Sequence, residues 1–409
     1  MKPEKLTVLA MNGGSSSIKF ALYTKGDVAQ RRLYGKVDRI GLSGTTLTFD
    51  DPSHSQHDSR VVGDFDHPSA ANFLIEWLDQ QIGLTSIAAV GHRIVAGGTH
   101  DHTPQRVTPS LLDALRASVA YAPKHLPSAL ALIDLFDERA PNLPQIVCFD
   151  TAFHRDMPRV AKILPIPRRL QAQRVERYGF HGLSYAFLME ELARVASAEA
   201  AQGRVILAHL GNGASLAAVR GGKSIDTSMG FTPTGGVPMG TRSGDVDPGL
   251  VEFLAQTQHM TAEQFHHMVN HESGLLGVSE TSSDLRDLLA QEADDVRAAE
   301  AVELFCYQIK KYIGAYAAAL GGLDTLVFAG GIGENAAVIR ARICDGLAFL
   351  GIAIDDTRNL ANAGVISADT GRVAVRVMHT DEEVMIAKSV CYVLEHSNKD
   401  GSSHEHEPI

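Results

Sequence analysis

The sequence predicts an α/β protein built of two similar lobes, and three observations carry that expectation. At 409 residues the chain exceeds the usual size of one hydrophobic core. A unit of strand, glycine turn, strand and glycine turn, VLAMNGGSSSIKFALYTKGD at 8–27, returns as ILAHLGNGASLAAVRGGK at 206–223. Each half then turns to helices with apolar residues at helical spacing and carries a late apolar strand, QIVCFD in the first and TLVFAGG in the second.

Taken in order, Val8, Leu9 and Ala10 match Ile206, Leu207 and Ala208, Gly13 matches Gly211, and Ser17 and Ile18 match Ser215 and Leu216, all 198 residues apart. Two glycine-turn hairpins can look alike by chance, but the shared order of later elements favours an ancient duplication. Apolar periodicity predicts helices in SAANFLIEWLDQQIG and PSALALIDLFDERAP, then in SYAFLMEELARVASAEA and RAAEAVELFCYQIKKYIGAYAAALGG. The proline-rich, then charged LPIPRRLQAQRVERYGFHG is expected on the surface near the boundary between lobes. The expected division is 1–153 plus 386–400 for the first lobe, 154–385 for the second, and a flexible polar tail at 401–409.

Composition narrows the classes. Hydrophobic residues at 44% and charged residues at 21% suit a soluble globular protein. The apolar runs fall well short of the ~20 residues a membrane span needs, and MKPEKLTVLA lacks a signal-peptide pattern, so a cytoplasmic protein with no membrane partner is expected. A net charge of -11 gives no footprint for nucleic acid. Cys148, Cys306, Cys344 and Cys391 form no CxxC pair and stand in apolar contexts, which predicts buried reduced thiols. Any anionic ligand must then be met by local donors.

The glycines and serines at 13–17 supply such donors, because backbone N–H groups and hydroxyls in a tight turn form a concave set suited to phosphate oxygens. The phosphate loop GxxxxGK[ST] does not fit, since Ile18 stands at the second glycine and Phe20 at the magnesium-binding hydroxyl. SIKFALY also reads as a strand. A hairpin that offers its tip to phosphate is the device of the actin, Hsp70 and sugar-kinase class, with LGNGAS as the second jaw. A third turn, FAGGIGENAAVIRARI, runs from strand to helix, where it would carry an anion or pack against a nucleotide. It fails as a dinucleotide fingerprint, with Ala336 at the last glycine position.

A series of stretches spanning nearly the whole chain resembles the acetate kinase (acetate/propionate kinase) family: NGGSSSIKF (12–20), GHRIVAGG (91–98), CFDTAFH (148–154), YGFHGLS (178–184), HLGNGAS (209–215), DTSMGFTPTGGVPMGTRSGDVDPG (226–249), SSDLRDL (282–288), FAGGIGEN (328–335) and TDEEVMIA (380–387). The resemblance implies a duplicated actin-like fold with a nucleotide cleft between its lobes, and a homodimer. It also implies reversible transfer of the ATP γ-phosphoryl group to a short-chain carboxylate with Mg²⁺, or Mn²⁺ in its place.

The chemistry suits the residues so matched. A short-chain carboxylate is ionised at neutral pH, so the reaction brings anions together and needs positive charge rather than a general base. By resemblance Arg93 binds the substrate carboxylate, Arg242 stabilises the transferring phosphoryl group, and His181 donates to the same oxygens. Guanidinium forks fit both partners. Asp150, at the end of a strand, is assigned to positioning Arg or Mg²⁺. Asn12 and Glu382 are the implied metal ligands, with Thr380 and Glu383 spaced as a capping box. Nucleotide contacts are implied for Lys19, for His209, Leu210, Gly211, Asn212 and Gly213, for Asp284, Leu285 and Arg286, and for Gly331, Ile332, Gly333, Glu334 and Asn335. Val95, Phe180 and Pro233 would wall the acyl chain.

The chain departs from the family pattern at Lys124, where Leu is usual, at Ala96, where His is frequent, and at Tyr185 in FHGLSY, where the family reads FHGTSH. Lys124 would bring a flexible charge near the acyl wall, which leaves the acyl preference open; the expected order is acetate first, propionate second and a more polar carboxylate last. Two rivals stand beside this reading. A sugar or glycerol kinase of the same fold would use Asp150 as a true base, and an actin- or Hsp70-like ATP-binding module would need neither Arg93 nor Arg242.

Overall fold

The computed structural model describes residues 7–14, 16–24, 27–95, 97, 103–119 and 126–400; Ala96, Lys124 and the tail at 401–409 lie outside them. The chain forms two compact units, Met1–Ala152 with Asp381–Ile409, and Phe153–Thr380.

The first unit is organised by β1 (Thr7–Gly13), an almost wholly apolar strand buried along its length. It pairs antiparallel with β2 (Ser17–Thr24) on one side and parallel with β6 (Ile87–Ile94) on the other. β3 (Asp27–Asp38), β4 (Thr45–Asp51) and β5 (Gln56–Gly63) extend the sheet as an antiparallel meander. β8 (Gln145–Phe149) lies parallel to β6, with the short β7 (Gln105–Arg106) at the edge, giving the order β5-β4-β3-β2-β1-β6-β8-β7. Helix α1 (His67–Ile82) buries Trp77 against Phe20 and Phe49, ring centroids 5.5 and 4.8 Å away. The last helix, α2 (Glu382–Asp400), returns to the same sheet. A Cβ at Gly91 of β6 would lie 2.5 Å from Ile386 and 2.6 Å from Val390, so glycine is what lets the helix lie so close.

The second unit repeats this plan. β9 (Arg204–Leu210) pairs antiparallel with β10 (Ala214–Arg220), which pairs with β11 (Lys223–Thr227). On its other side β9 runs parallel to β12 (Thr325–Ala329), and β12 to β13 (Ala374–Val377). The order β11-β10-β9-β12-β13 thus reproduces β3-β2-β1-β6-β8 with the same strand directions. Repetition of five strands in order and polarity is the structural mark of duplication.

Register corrects the residue matching. Ala10 faces Ala21, eleven residues on, whereas Ala208 faces Leu216, eight residues on. The second hairpin is therefore three residues tighter, and Ser17 and Ile18 are not the counterparts of Ser215 and Leu216. Those three extra residues are what make room for the serine loop in the first copy. The meander β3 to β5 was not anticipated, because polar residues at every second position obscure its strands. All four cysteines are buried, and no disulfide joins any of them among the described residues.

Candidate active site

In the first unit three parallel strands deliver side chains to one sheet end. Asn12 lies near the end of β1, Arg93 near the end of β6 and Asp150 just past β8, the end where α/β sheets place functional groups. Arg93 donates from Nη2 to Asp150 Oδ2 at 2.8 Å and from Nη1 to Asn12 Oδ1 at 3.3 Å. Its Nε lies 3.9 Å from Glu382 Oε2 and, though buried, has no hydrogen-bond partner among the described residues. Asn12 Nδ2 donates to Glu382 Oε2 and Glu383 Oε1, both at 2.8 Å. Asp150 is fully buried and the Arg93 side chain only 15% exposed. Burial opposes the guanidinium charge, but Asp150 and Glu382 outweigh it and hold the Arg93 pKa above its usual value.

Glu383 is the residue sequence reasoning missed. The expected capping box of Thr380 and Glu383 does not form. Asp381 caps the helix instead, accepting from Val384 N–H at 3.0 Å, and the Thr380 hydroxyl lies 2.7 Å from Ser184. Asp is as strong a cap as Thr and stands one residue later, which was the available signal. Released from capping, Glu383 turns to Asn12. Burial raises its pKa, Lys19 opposes that rise and Glu382 adds to it.

The second unit holds the other predicted donors. His181 precedes helix α3 (Gly182–Val195) in a left-handed conformation, φ 58, uncommon for a residue with a Cβ. Its Nδ1 is 2.8 Å from Ser215 Oγ, and its ring stacks on His209 at 4.3 Å between centroids. His209 Nδ1 in turn is 2.8 Å from Ser184 Oγ. Arg242 Nη1 donates to the Pro233 carbonyl at 2.7 Å. A Cβ on Gly213 would stand 2.8 Å from Arg242 Nη2 and 3.4 Å from His181 Nε2, so both side chains converge on the tip of the second hairpin. Helix Gly274–Ser279 backs the Arg242 loop: Leu275 and Leu276 donate to the Met239 and Gly240 carbonyls at 2.8 and 2.9 Å. Ser215, whose hydroxyl holds His181, was visible only as part of a matched motif.

Beside this tip lies a pocket of about 550 Å³ lined by Gly211, Asn212, Asp284, Leu285, Arg286, Gly331, Ile332 and Asn335, all predicted nucleotide contacts. Leu275, Ser283, Leu289 and Ala336 complete it. Asp284 is the N-cap of helix Leu285–Gln291, and its carboxylate also accepts from the Arg286 guanidinium. Six predicted contacts lie elsewhere. Leu210 is fully buried in β9, and a Cβ on Gly333 would press at 3.3 Å on the Phe328 backbone. Glu334 accepts from Gly330 N–H at 3.0 Å and pairs with His379 at 2.9 Å. Burial raises the Glu334 pKa, but His379 outweighs that and holds it below the usual range. A carboxylate already occupies the start of helix Gly330–Asn335, so that turn is a wall of the pocket and not an anion site. His209 and Gly213 belong to the His181 cluster, and Lys19 is an exposed residue of β2 in the first unit.

The acyl-wall residues fall in different units. Val95 is 5% exposed in the first, while Phe180 is 1% exposed in the second, where Pro233 is half-buried beside Arg242. Phe180 is a packing residue whose carbonyl lies 3.1 Å from His154 Nε2.

Among the described residues no three His, Cys, Asp or Glu side chains converge as a metal cluster, and no helix is long and apolar enough to cross a membrane. The oxygen-rich set at Asn12, Glu382 and Glu383 is of the kind a hard divalent cation takes, usually through one or two protein ligands.

A sheet plan duplicated in order and direction, with helices after the parallel strands, defines an actin-like α/β fold. The model of the acetokinase family matches residues 7–388. An acetate kinase from Rhodopseudomonas palustris (strain ATCC BAA-98 / CGA009) is 44% identical over 388 residues, covering 94% of this chain and 97% of that protein. A propionate kinase from Citrobacter rodentium is 43% identical over 390 residues, covering 94% and 96%. The crystal structure of a propionate kinase from Francisella tularensis superposes with a TM-score of 0.87 at 35% identity, covering 94% of this chain and 98% of that one. The chain belongs to the acetokinase family and is a carboxylate phosphotransferase.

Proposed function

We propose that the protein transfers the γ-phosphoryl group of ATP reversibly to a short-chain carboxylate, acetate ahead of propionate. The observation that carries this reading is Arg93, a buried guanidinium whose Nε–H has no acceptor among the described residues. A buried unmade hydrogen bond costs about 1–3 kcal/mol, and a carboxylate substrate would make it. The acceptor is ionised at neutral pH, so no proton has to leave it. Asp150 accordingly serves to hold Arg93, not as a base. Arg242 and His181 supply donors to the phosphoryl oxygens in the transition state. The nucleoside end of ATP takes the pocket of about 550 Å³, a volume within the usual range for small-molecule sites. Lys19 would reach toward phosphate. Mg²⁺, or Mn²⁺, would be held by Asn12 and Glu382 and would neutralise phosphate charge.

A homodimer in the cytoplasm completes the reading. Helix Gly249–Gln258 has no buried residue and exposes Val251 and Phe253, at 44% and 58%. A ten-residue helix is marginal without packing, and a second copy would provide it. Phe253→Glu should shift the protein toward monomer in light scattering, and an unchanged mass would remove this face from consideration.

Trapping the product with hydroxylamine tests the activity directly. ATP and Mg²⁺ with acetate should give acetohydroxamate, propionate should give less, and glycerate little. Phosphorylation of a hydroxyl substrate instead would favour the sugar-kinase rival, and ATP hydrolysis alone the binding module.

A further inference from the structure

We propose that Arg31 is a positioning residue for the turn that carries the metal ligand, acting through Asp381; this rests on the reading of Asn12 and Glu382 as the magnesium site.

Helix α2 opens on three consecutive acids, Asp381, Glu382 and Glu383. The helix N-terminus favours negative charge, but three carboxylates within one turn repel one another. Each lies near a cation, and Glu383 is felt by Arg31 and Arg93 as well. Arg93 Nε is 3.9 Å from Glu382, Lys19 acts electrostatically on Glu383, and Arg31 of β3 forms an ion pair with Asp381. Arg31 is itself held on several sides. Its Nε donates to Tyr23 Oη at 3.3 Å, and its guanidinium lies 4.8 Å from the Tyr34 ring centroid. The Tyr23 hydroxyl lies 3.4 Å from Asp381 Oδ1, the same oxygen that accepts from Val384 N–H at 3.0 Å. Burial and the Asp381 charge raise the Tyr23 pKa, so the phenol keeps its proton for donation.

Asp381 is thus both the cap of α2 and the residue next to Glu382. Fixing its carboxylate fixes the backbone from which Glu382 and Glu383 reach Asn12. Among the described residues Arg31 donates to Tyr23 and Asp381 and to neither Asn12 nor Glu382, so apart from its charge, which also reaches Glu383, its influence passes through that turn.

The sign of one measurement separates positioning from charge. Removing Arg31 adds net negative charge near the site, which by Coulomb attraction alone would tighten divalent-cation binding. Loss of positioning would weaken it, and outer partners of metal ligands typically contribute 10–100-fold in affinity. We expect Arg31→Met to weaken Mn²⁺ binding about tenfold in the presence of ADP, read as free Mn²⁺ by electron paramagnetic resonance. At saturating metal kcat should stay within about twofold, and Arg31→Lys should recover part of the affinity. Trp77 fluorescence reports whether the first unit is folded, and Arg31→Lys serves if Arg31→Met is not. Unchanged or tighter Mn²⁺ binding by a folded variant would overturn the proposal. Glu382→Gln distinguishes the two failures. If it leaves Mn²⁺ binding intact, the metal site itself is misread; if it abolishes binding while the Arg31 variants do not weaken it, only the positioning role falls.

Discussion

Removing Arg93 should destabilise the first unit in a way that depends on pH. The guanidinium is the partner of Asp150, whose side chain has no exposure, at 2.8 Å. Arg93→Met keeps the apolar stem and removes the guanidinium from that carboxylate. Breaking a buried pair costs about 3–5 kcal/mol, unless the remaining acid takes a proton. Protonation sets a ceiling, since an aspartate with an ordinary pKa of about 3.9 needs about 4 kcal/mol to stay neutral at pH 7 and about 1.5 kcal/mol at pH 5. Burying a bare carboxylate costs more than burying its protonated form, so the variant gains from low pH. Its stability is therefore greatest at low pH and is lost as pH rises. The deficit against the parent protein should be about 4 kcal/mol at pH 7 and shrink by more than half at pH 5. Trp77, the one tryptophan, lies in the core of the first unit and reports its urea unfolding selectively. The double variant Arg93→Met with Asp150→Asn should recover most of the stability and none of the kinase activity. A deficit below about 1 kcal/mol at pH 7, or one equal at both pH values, would show that the pair is not the buried couple described.

Two further outcomes follow from the same geometry. A Cβ at Gly331 would meet nothing within 4 Å, yet the residue lines the pocket proposed for the nucleotide. Gly331→Leu should leave the melting temperature within about 2 °C while raising KM for ATP at least tenfold, and an unchanged KM would remove the pocket from the nucleotide site. His92 and His154 are each pushed down by burial to about 4. Both are neutral in the fold and charge on unfolding, so their contribution is complete above pH 6.5 and is lost as pH falls toward 4. The loss is about 1.4 kcal/mol per pH unit per histidine within that window. Denaturation followed by circular dichroism from pH 7 to 5 should show this slope, and His92→Gln should reduce it; a slope unaltered by the substitution would count against burial as the cause.

Much of the fold was legible because glycine tips and apolar strands leave strong local signals, and the two hairpins carried both. Register was not legible, because a shared string such as Ser-Ile and Ser-Leu says nothing about loop length. Hydrogen-bond pairing decided it, and showed three residues of difference at the tip. β3 to β5 escaped because an outer antiparallel strand such as QHDSRVVG has little apolar content to reveal its period. At the site, Arg93, Asp150, Asn12 and Glu382 came together as expected, since strand ends of one parallel set must share an edge. Leu210, Gly333 and Glu334 did not reach the pocket with their motif neighbours. Alternation in a strand turns one residue inward as it turns the next outward, and Glu334 satisfies its own helix start. Glu383 was hidden by two possible caps, one residue apart.

Charge in the first-unit cluster makes a last requirement explicit. Asp150, Asp381, Glu382 and Glu383 are four acids, against three cations in Arg31, Arg93 and Lys19. With all of them ionised the cluster is negative by one, and a carboxylate approaching Arg93 meets that field at low dielectric. Protonating Glu383, which its raised pKa favours, brings the cluster only to neutrality. A divalent cation at Glu382 would reverse the sign. Acetate should therefore bind weakly to the protein alone and at least tenfold more tightly once Mg²⁺ and ADP are present, as measured by line broadening of its methyl resonance. Calcium-free chelator added to the loaded sample should release it. Equal acetate affinity with and without the metal would mean that Arg93 overcomes the four acids unaided, and the role assigned to Glu382 would have to be abandoned.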